Sequence, residues 1–146
     1  MNEAKSGFKV SWKSWLALLA ILGVIAAIAI PQYGDYIHLA QASESISLMS
    51  SAKEPLVEHF QKHGKWPDAL QNVHGSTSGK YTQLVAITKG AGGTGNIELT
   101  ATMRTEGVNS RVAGTTILMV SSDGGKSWIC KPGTILAKNV SASCRN

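Results

Sequence analysis

Residues 15–30 read WLALLAILGVIAAIAI, with no charge and no polar side chain. Few folds can absorb such a run. As a helix its sixteen residues extend about 24 Å at 1.5 Å per residue. That is slightly short of the roughly 30 Å hydrocarbon core of a bilayer. Lys13 can snorkel at one end, and Trp12, Trp15 and Tyr33 suit the interfaces. Lys5, Lys9 and Lys13 precede the run, so the positive-inside rule keeps that end in the cytoplasm and exports the chain beyond Pro31. Two other readings compete. Ala27-Ile28-Ala29 resembles the small-x-small cleavage site of a secretory signal, but the helical pattern continues beyond it. A buried core helix would need a second apolar segment to surround it, and the sequence has none.

The whole chain of 146 residues has room for one domain. With 43% apolar and 16% charged residues it is not intrinsically disordered. The net charge is +5, but three of the fourteen basic residues precede the apolar run, with Glu3. From residue 31 onward eleven bases face eight acids, too small an excess for a strongly basic nucleic-acid module. Two cysteines exclude a disulfide-dense miniprotein and a four-cysteine zinc site.

Residues 35–63 read as a helix with a narrow apolar stripe: Leu39, Ala42, Ile46, Met49, Leu56 and Phe60, with Lys53 at the missing position. Gln41, Ser43, Ser47, Ser51, Glu54 and Glu58 fall on the opposite side. Pro55 predicts a kink or local break. Gly64 is a C-terminal cap and Pro67 forbids simple continuation. Beyond a loop over 65–80, the chain reads as strands. Ile97, Leu99, Ala101 and Met103 alternate with Glu98, Thr100, Thr102 and Arg104, the cleanest period of two present. Residues 81–88 precede it across the glycine-rich 90–95, and 115–121 come after it. Asp123-Gly124 marks a tight hairpin turn into residues 127–130. Three or four antiparallel strands laid on the second half of the helix would make an α+β domain.

Cys130 and Cys144 enclose thirteen residues. If this part is exported they should form a disulfide that pins the irregular C-terminus; in a cytosolic protein they would be two free thiols. Gly90–Gly95 lacks the Lys-Ser/Thr of a phosphate loop, and Gly125-Lys126-Ser127 lacks both the required first glycine and a following helix. His59 and His63 are one helical turn apart beside Glu58, a spacing that suits a metal, but no further ligand can be assigned and a packed or solvated pair is the reading adopted. Asn139-Val140-Ser141 fits the N-glycosylation pattern, a short match of little weight. No catalytic arrangement and no cofactor motif is present, so the chain reads as a non-enzyme with no metal or cofactor.

Residues 26–36, AAIAIPQYGDY, resemble the signature of type IV pilins, particularly the a-class major pilins of Gram-negative bacteria. The similarity continues in order through residues 40–44, 63–67, 79–81, 99–103 and 107–109, and ends in 128–130 and 143–145. The resemblance implies a type IV pilin fold: a long N-terminal helix, membrane-spanning in its first half and amphipathic in its second, packed on about four antiparallel strands, with a Cys130–Cys144 disulfide loop. It divides the chain into a basic leader or cytoplasmic segment (1–13), a transmembrane and filament-core helix (14–36) and a globular domain (37–146). Leu16, Leu19, Gly23, Ala26, Ile30 and Pro31 would line the filament core. Gly23 and Pro31 bracket a stretch that can unwind in a packed filament.

The implied function is structural. Subunits leave the inner membrane and polymerise with other pilin subunits into a helical surface fibre for adhesion, twitching motility or DNA uptake. The implied partners are the inner-membrane assembly machinery, a prepilin peptidase, and a host surface or DNA. Gly7-Phe8 matches the family's processing junction, but residues 8–16, FKVSWKSWL, hold no carboxylate. Counting back from Pro31, the family's N-terminal Glu falls at Ser14; counting forward from Phe8, at Trp12. This departure leaves two alternatives. A minor pilin could bind DNA through Lys126, Lys131, Lys138 and Arg145, or an unprocessed pilin-like protein could stay in the membrane and modulate assembly.

Overall fold

The computed structural model describes residues 11–145. Its first element, α1, is a 52-residue helix, Trp12–His63. An antiparallel meander comes next: β1 (Thr82–Lys89), β2 (Ile97–Met103), β3 (Thr116–Ser121) and β4 (Ile129–Pro132), in the order β1-β2-β3-β4. Short 3-10 turns occupy Leu70–Asn72, Ala137–Asn139 and Ala142–Cys144. The chain divides into two compact units after Gly34.

In the second unit, Met49, Ala52 and Leu56 of the helix share one buried cluster with Val85, Leu99, Ala101, Ile117 and Met119 of the sheet. The alternation read in β2 appears as alternating burial along its whole length. The opposite face is polar at its centre, where Thr88 and Thr100 hydroxyls lie 2.7 Å apart.

The expected helical stripe is rotated. The buried positions are His38, Ala42, Ser45, Met49, Ala52 and Leu56, in steps of four and three, with Gln41 beside them. Ala52, not Lys53, completes the pattern. Gln41, expected on the solvent side, is buried and accepts the Asn109 N–H at 2.8 Å. The face against the sheet carries small side chains at 42, 45 and 52, and these carry little hydropathic signal.

The break expected at Pro55 is absent, and the helix runs through it. Proline removes a backbone hydrogen bond, but Ala52 and Leu56 are fully buried on either side of it, and their packing holds both turns. Gly64 caps the helix as expected, at φ 70°, with its N–H donating to the Phe60 carbonyl. Residues 23–31 are helical, although they include Gly23 and Pro31.

The turn at Asp123-Gly124 is not a tight hairpin. Residues 122–128 form a longer connection, so β4 starts two residues later than expected. Gly124 and Gly125 both take positive φ, 72° and 86°. The Asp123 carboxylate gathers the Ser127 N–H at 2.9 Å, the Ser127 hydroxyl at 2.5 Å and the Ser121 hydroxyl at 3.0 Å. An Asx-type bridge therefore sets the loop length, rather than a two-residue primed turn.

Candidate functional site

Along the first unit every described side chain from 12 to 30 is exposed. Leu16 is 53% exposed, Leu19 58% and Ile30 70%. Burying such side chains gains roughly 1.5–3 kcal/mol each, so this surface is incomplete until lipid or protein covers it. A methyl placed on Gly23 would meet nothing within 4 Å. With Ala17, Ala20, Ala26 and Ala27 it leaves space for another helix to come close. The helix is long and apolar enough to cross a membrane.

The second unit ties its first helical turns to distant loops. Asp35 pairs with Arg111. Glu44 Oε1 accepts the N–H groups of Tyr81 at 2.9 Å and Thr82 at 3.0 Å, capping the entry to β1. Arg104 donates to the Gly79 carbonyl from Nε and Nη2. Gly79 itself packs on the Glu44 carboxylate, so any side chain there would displace it. Buried Ser45 meets the Thr82 hydroxyl at 2.8 Å and Met103 Sδ at 3.0 Å. Together these contacts hold residues 79–82 and 109–111 on helical residues 35–45.

The C-terminal segment is held by the Cys130–Cys144 disulfide, whose Cα atoms are 4.6 Å apart. Ile135, Val140 and Cys144 are buried in the core. A bridge spanning 14 positions stabilises by about 3 kcal/mol in the chain-entropy model. Replacing both cysteines by serine should lower the melting temperature by roughly 10 °C. Calorimetry on the full chain in detergent micelles checks this, and an unchanged midpoint would refute it.

The four basic candidates are all exposed but do not share one groove. Lys126 lines a cleft with Val57, Phe60 and Gln61. Lys138 lines a different one with Asp35, His38 and Arg111. Lys131 stands on β4 opposite Leu118, and Arg145 Nε donates to the Val140 carbonyl at 3.1 Å. Gly7 and Phe8 lie outside the described residues. Asn139 is buried and its side-chain amide donates to the Arg111 carbonyl at 3.2 Å, so the glycosylation pattern has no free acceptor here.

The glycine-rich loop has a structural task that the sequence did not reveal. It holds Trp66, whose backbone N–H donates to the Gly93 carbonyl and whose indole donates to the Gly95 carbonyl, both at 2.8 Å. Gly92 N–H returns a bond to the Pro67 carbonyl. Gly90 and Gly92 take positive φ, 84° and 67°, which admits the carbonyls to these positions. Trp66 then fills the core against Phe60 and Trp128, with ring centroids at 4.4 and 6.3 Å.

The Asp123 bridge predicts an acid response. Hydrogen bonds from the Ser127 hydroxyl and then its backbone N–H hold the carboxyl down to about 2, from an ordinary 3.8. A value lowered in the folded state stabilises above the ordinary pKa and is lost as pH falls through the lowered one. The loop should therefore be unchanged at about pH 4 and loosen as pH falls through about 2. The Ser127 amide resonance, followed by NMR, should titrate with its midpoint near about pH 2. In Asp123→Ala the titration should vanish.

A family model described as pilin, a bacterial filament protein, matches residues 40–145. The chain is similar to fimbrial protein EcpC of Eikenella corrodens, 36% identical over 123 residues, covering 82% of this chain and 78% of the relative. It is also similar to a fimbrial protein of Neisseria meningitidis, at 34% over 109 residues, and to the type IV major pilin protein PilE1 of Neisseria gonorrhoeae, at 31% over 118. These matches cover 70% and 76% of this chain. They span 60% and 62% of the two Neisseria proteins, less than two thirds of each.

Proposed function

Because the chain belongs to the pilin family of bacterial filament proteins, we propose that it is a pilus subunit stored in the inner membrane and polymerised through its apolar helix into a surface fibre. Pilins are structural rather than catalytic. The observation that carries the reading is the contrast between the two units: one exposes apolar side chains along its length, and the other closes its own core. In lipid, residues 15–30 are satisfied by hydrocarbon. In a fibre, neighbouring helices replace it, with dispersion contacts exchanged for dispersion contacts. Such an exchange lets one surface serve both states with a small difference in free energy between them. Adhesion, twitching motility and DNA uptake are the uses that a surface fibre of this kind would serve.

We extend the reading to processing at Gly7-Phe8 by a prepilin peptidase and to the segments 1–13, 14–36 and 37–146 as basic leader or cytoplasmic segment, anchor and globular part. Intact mass of the protein from sheared surface fibres and from membranes tests the proposal. A fibre product starting at Phe8, N-methylated, supports it. Absence from fibres, with piliation unchanged on deletion, would remove it.

A second reading comes from the missing carboxylate in residues 8–16. The protein would remain full-length in the membrane and act on the assembly machinery or on other pilins. A full-length mass confined to membranes would select it.

A further inference from the structure

The C-terminal end of α1 carries His59 and His63, which lie on one face at a spacing of four. Their rings face one another with centroids 4.4 Å apart and planes tilted by 37°. A metal sits about 2.0–2.1 Å from an imidazole nitrogen, so two imidazoles chelating one ion at 90–110° place their centroids roughly 4.5–5 Å apart. The ring separation is therefore close to that of a chelating pair before any ion arrives.

A second observation fixes the chemistry of one ring. His59 Nδ1 lies 3.1 Å from the Lys65 carbonyl oxygen. A carbonyl only accepts, so Nδ1 donates the hydrogen bond, which in the neutral ring leaves the Nε2 lone pair for an ion. Metal-ligating histidines are oriented in this way, by donating the other ring N–H to a carbonyl or carboxylate. The Lys65 carbonyl is itself presented by the turn after Gly64, whose N–H closes the helix on the Phe60 carbonyl.

We propose that His59 and His63 form a surface site for a divalent transition ion with imidazole preference, such as Zn2+ or Cu2+, with water completing the coordination. Glu58 lines the same cleft, with Pro55, Lys62 and Val73. It is held by Lys62 at 2.6 Å, and that hydrogen bond keeps its carboxyl below the ordinary value. Among the described residues no group of three ligating side chains gathers, so the protein supplies two ligands and the ion stays open to solvent. Imidazole ligands favour Zn2+ and Cu2+ over Mg2+ or Ca2+.

The test is calorimetric titration of the full chain in detergent micelles with Zn2+. Saturable binding of one ion per chain is expected. His59→Gln and His63→Gln should each weaken it by more than the roughly 10–100-fold that loss of an outer-shell partner costs. His74→Gln, whose ring Nε2 is 3.2 Å from the Ser51 hydroxyl, should leave it unchanged. In the unsubstituted chain the imidazole NMR resonances of His59 and His63 should move together on adding Zn2+, while those of His74 stay in place. Absence of saturable binding overturns the proposal. So does binding that survives either substitution, or an unchanged His59 and His63 spectrum.

Discussion

Trp66→Ala is expected to destabilise the globular unit by about 3–5 kcal/mol, the range for truncating a large aromatic in a core. Trp66 is fully buried, and its loss has three consequences. The contacts with Phe60 and Trp128 disappear, leaving a cavity beneath the 122–128 loop. The Gly95 carbonyl loses the indole donor. Gly125, where an added Cβ would lie 3.2 Å from Trp66 Cη2, loses the surface it rests on. Against a total stability of about 5–15 kcal/mol, this removes a large share of the margin by which the folded state is favoured. Trp66→Phe keeps one aromatic ring but removes the indole donor and part of the packing, so its cost should be smaller, about 1–3 kcal/mol. Chemical denaturation of both variants, followed by far-UV circular dichroism, checks the order. Equal losses would mean that the Gly95 hydrogen bond, not packing, dominates.

Trp66 also shows where the sequence stops being legible. It lies in a stretch with no periodicity, and its partners are carbonyls about thirty positions away. Nothing local marks it as core. The glycine loop that holds it reads from the sequence only as flexible, because glycine permits positive φ without saying what the resulting carbonyls will face. By contrast, β2 was legible in full. A strand with a paired neighbour on each side and one face against a helix must alternate, and its residues do.

The amphipathic half of α1 falls between these cases. Its existence and its C-terminal cap were legible, but not its phase. Hydropathy weights Leu39 and Ile46, which are only half-buried, above Ser45 and Ala52, which are fully buried. What decides is which side of the helix the sheet covers, and a helix read alone does not contain that choice. Pro55 failed as a breaker for the same reason, since packing at Ala52 and Leu56 outweighs one lost hydrogen bond. The apolar run was legible because its chemistry is indifferent to phase: every side is apolar. Of the site candidates, the disulfide needed only the premise of export, while the four basic residues required a tertiary placement that the sequence does not supply.

Gly23→Asp should have the largest functional effect. Residue 23 is near the middle of the apolar run, and an aspartate there costs about 2.5–3.5 kcal/mol on insertion scales. That weakens the insertion equilibrium constant by roughly a hundredfold, so the membrane-anchored fraction should fall. In the proposed fibre the penalty is greater still, since an unpaired charge would be buried among apolar helices with no water and no snorkelling path. Surface fibres should therefore fall below detection. Gly23→Leu separates the two environments. Leucine is at least as welcome in hydrocarbon as glycine, so membrane levels should hold. It also fills the space beside Gly23 that is open within 4 Å, which prevents close helix approach, so fibre yield should drop even though anchoring is intact. Immunoblots of membranes and sheared fibres read both quantities from one culture. Fibres at normal level in Gly23→Asp would mean that this helix does not form the fibre core. Fibres at normal level in Gly23→Leu would keep the apolar core but remove the close-packed helix contact at residue 23.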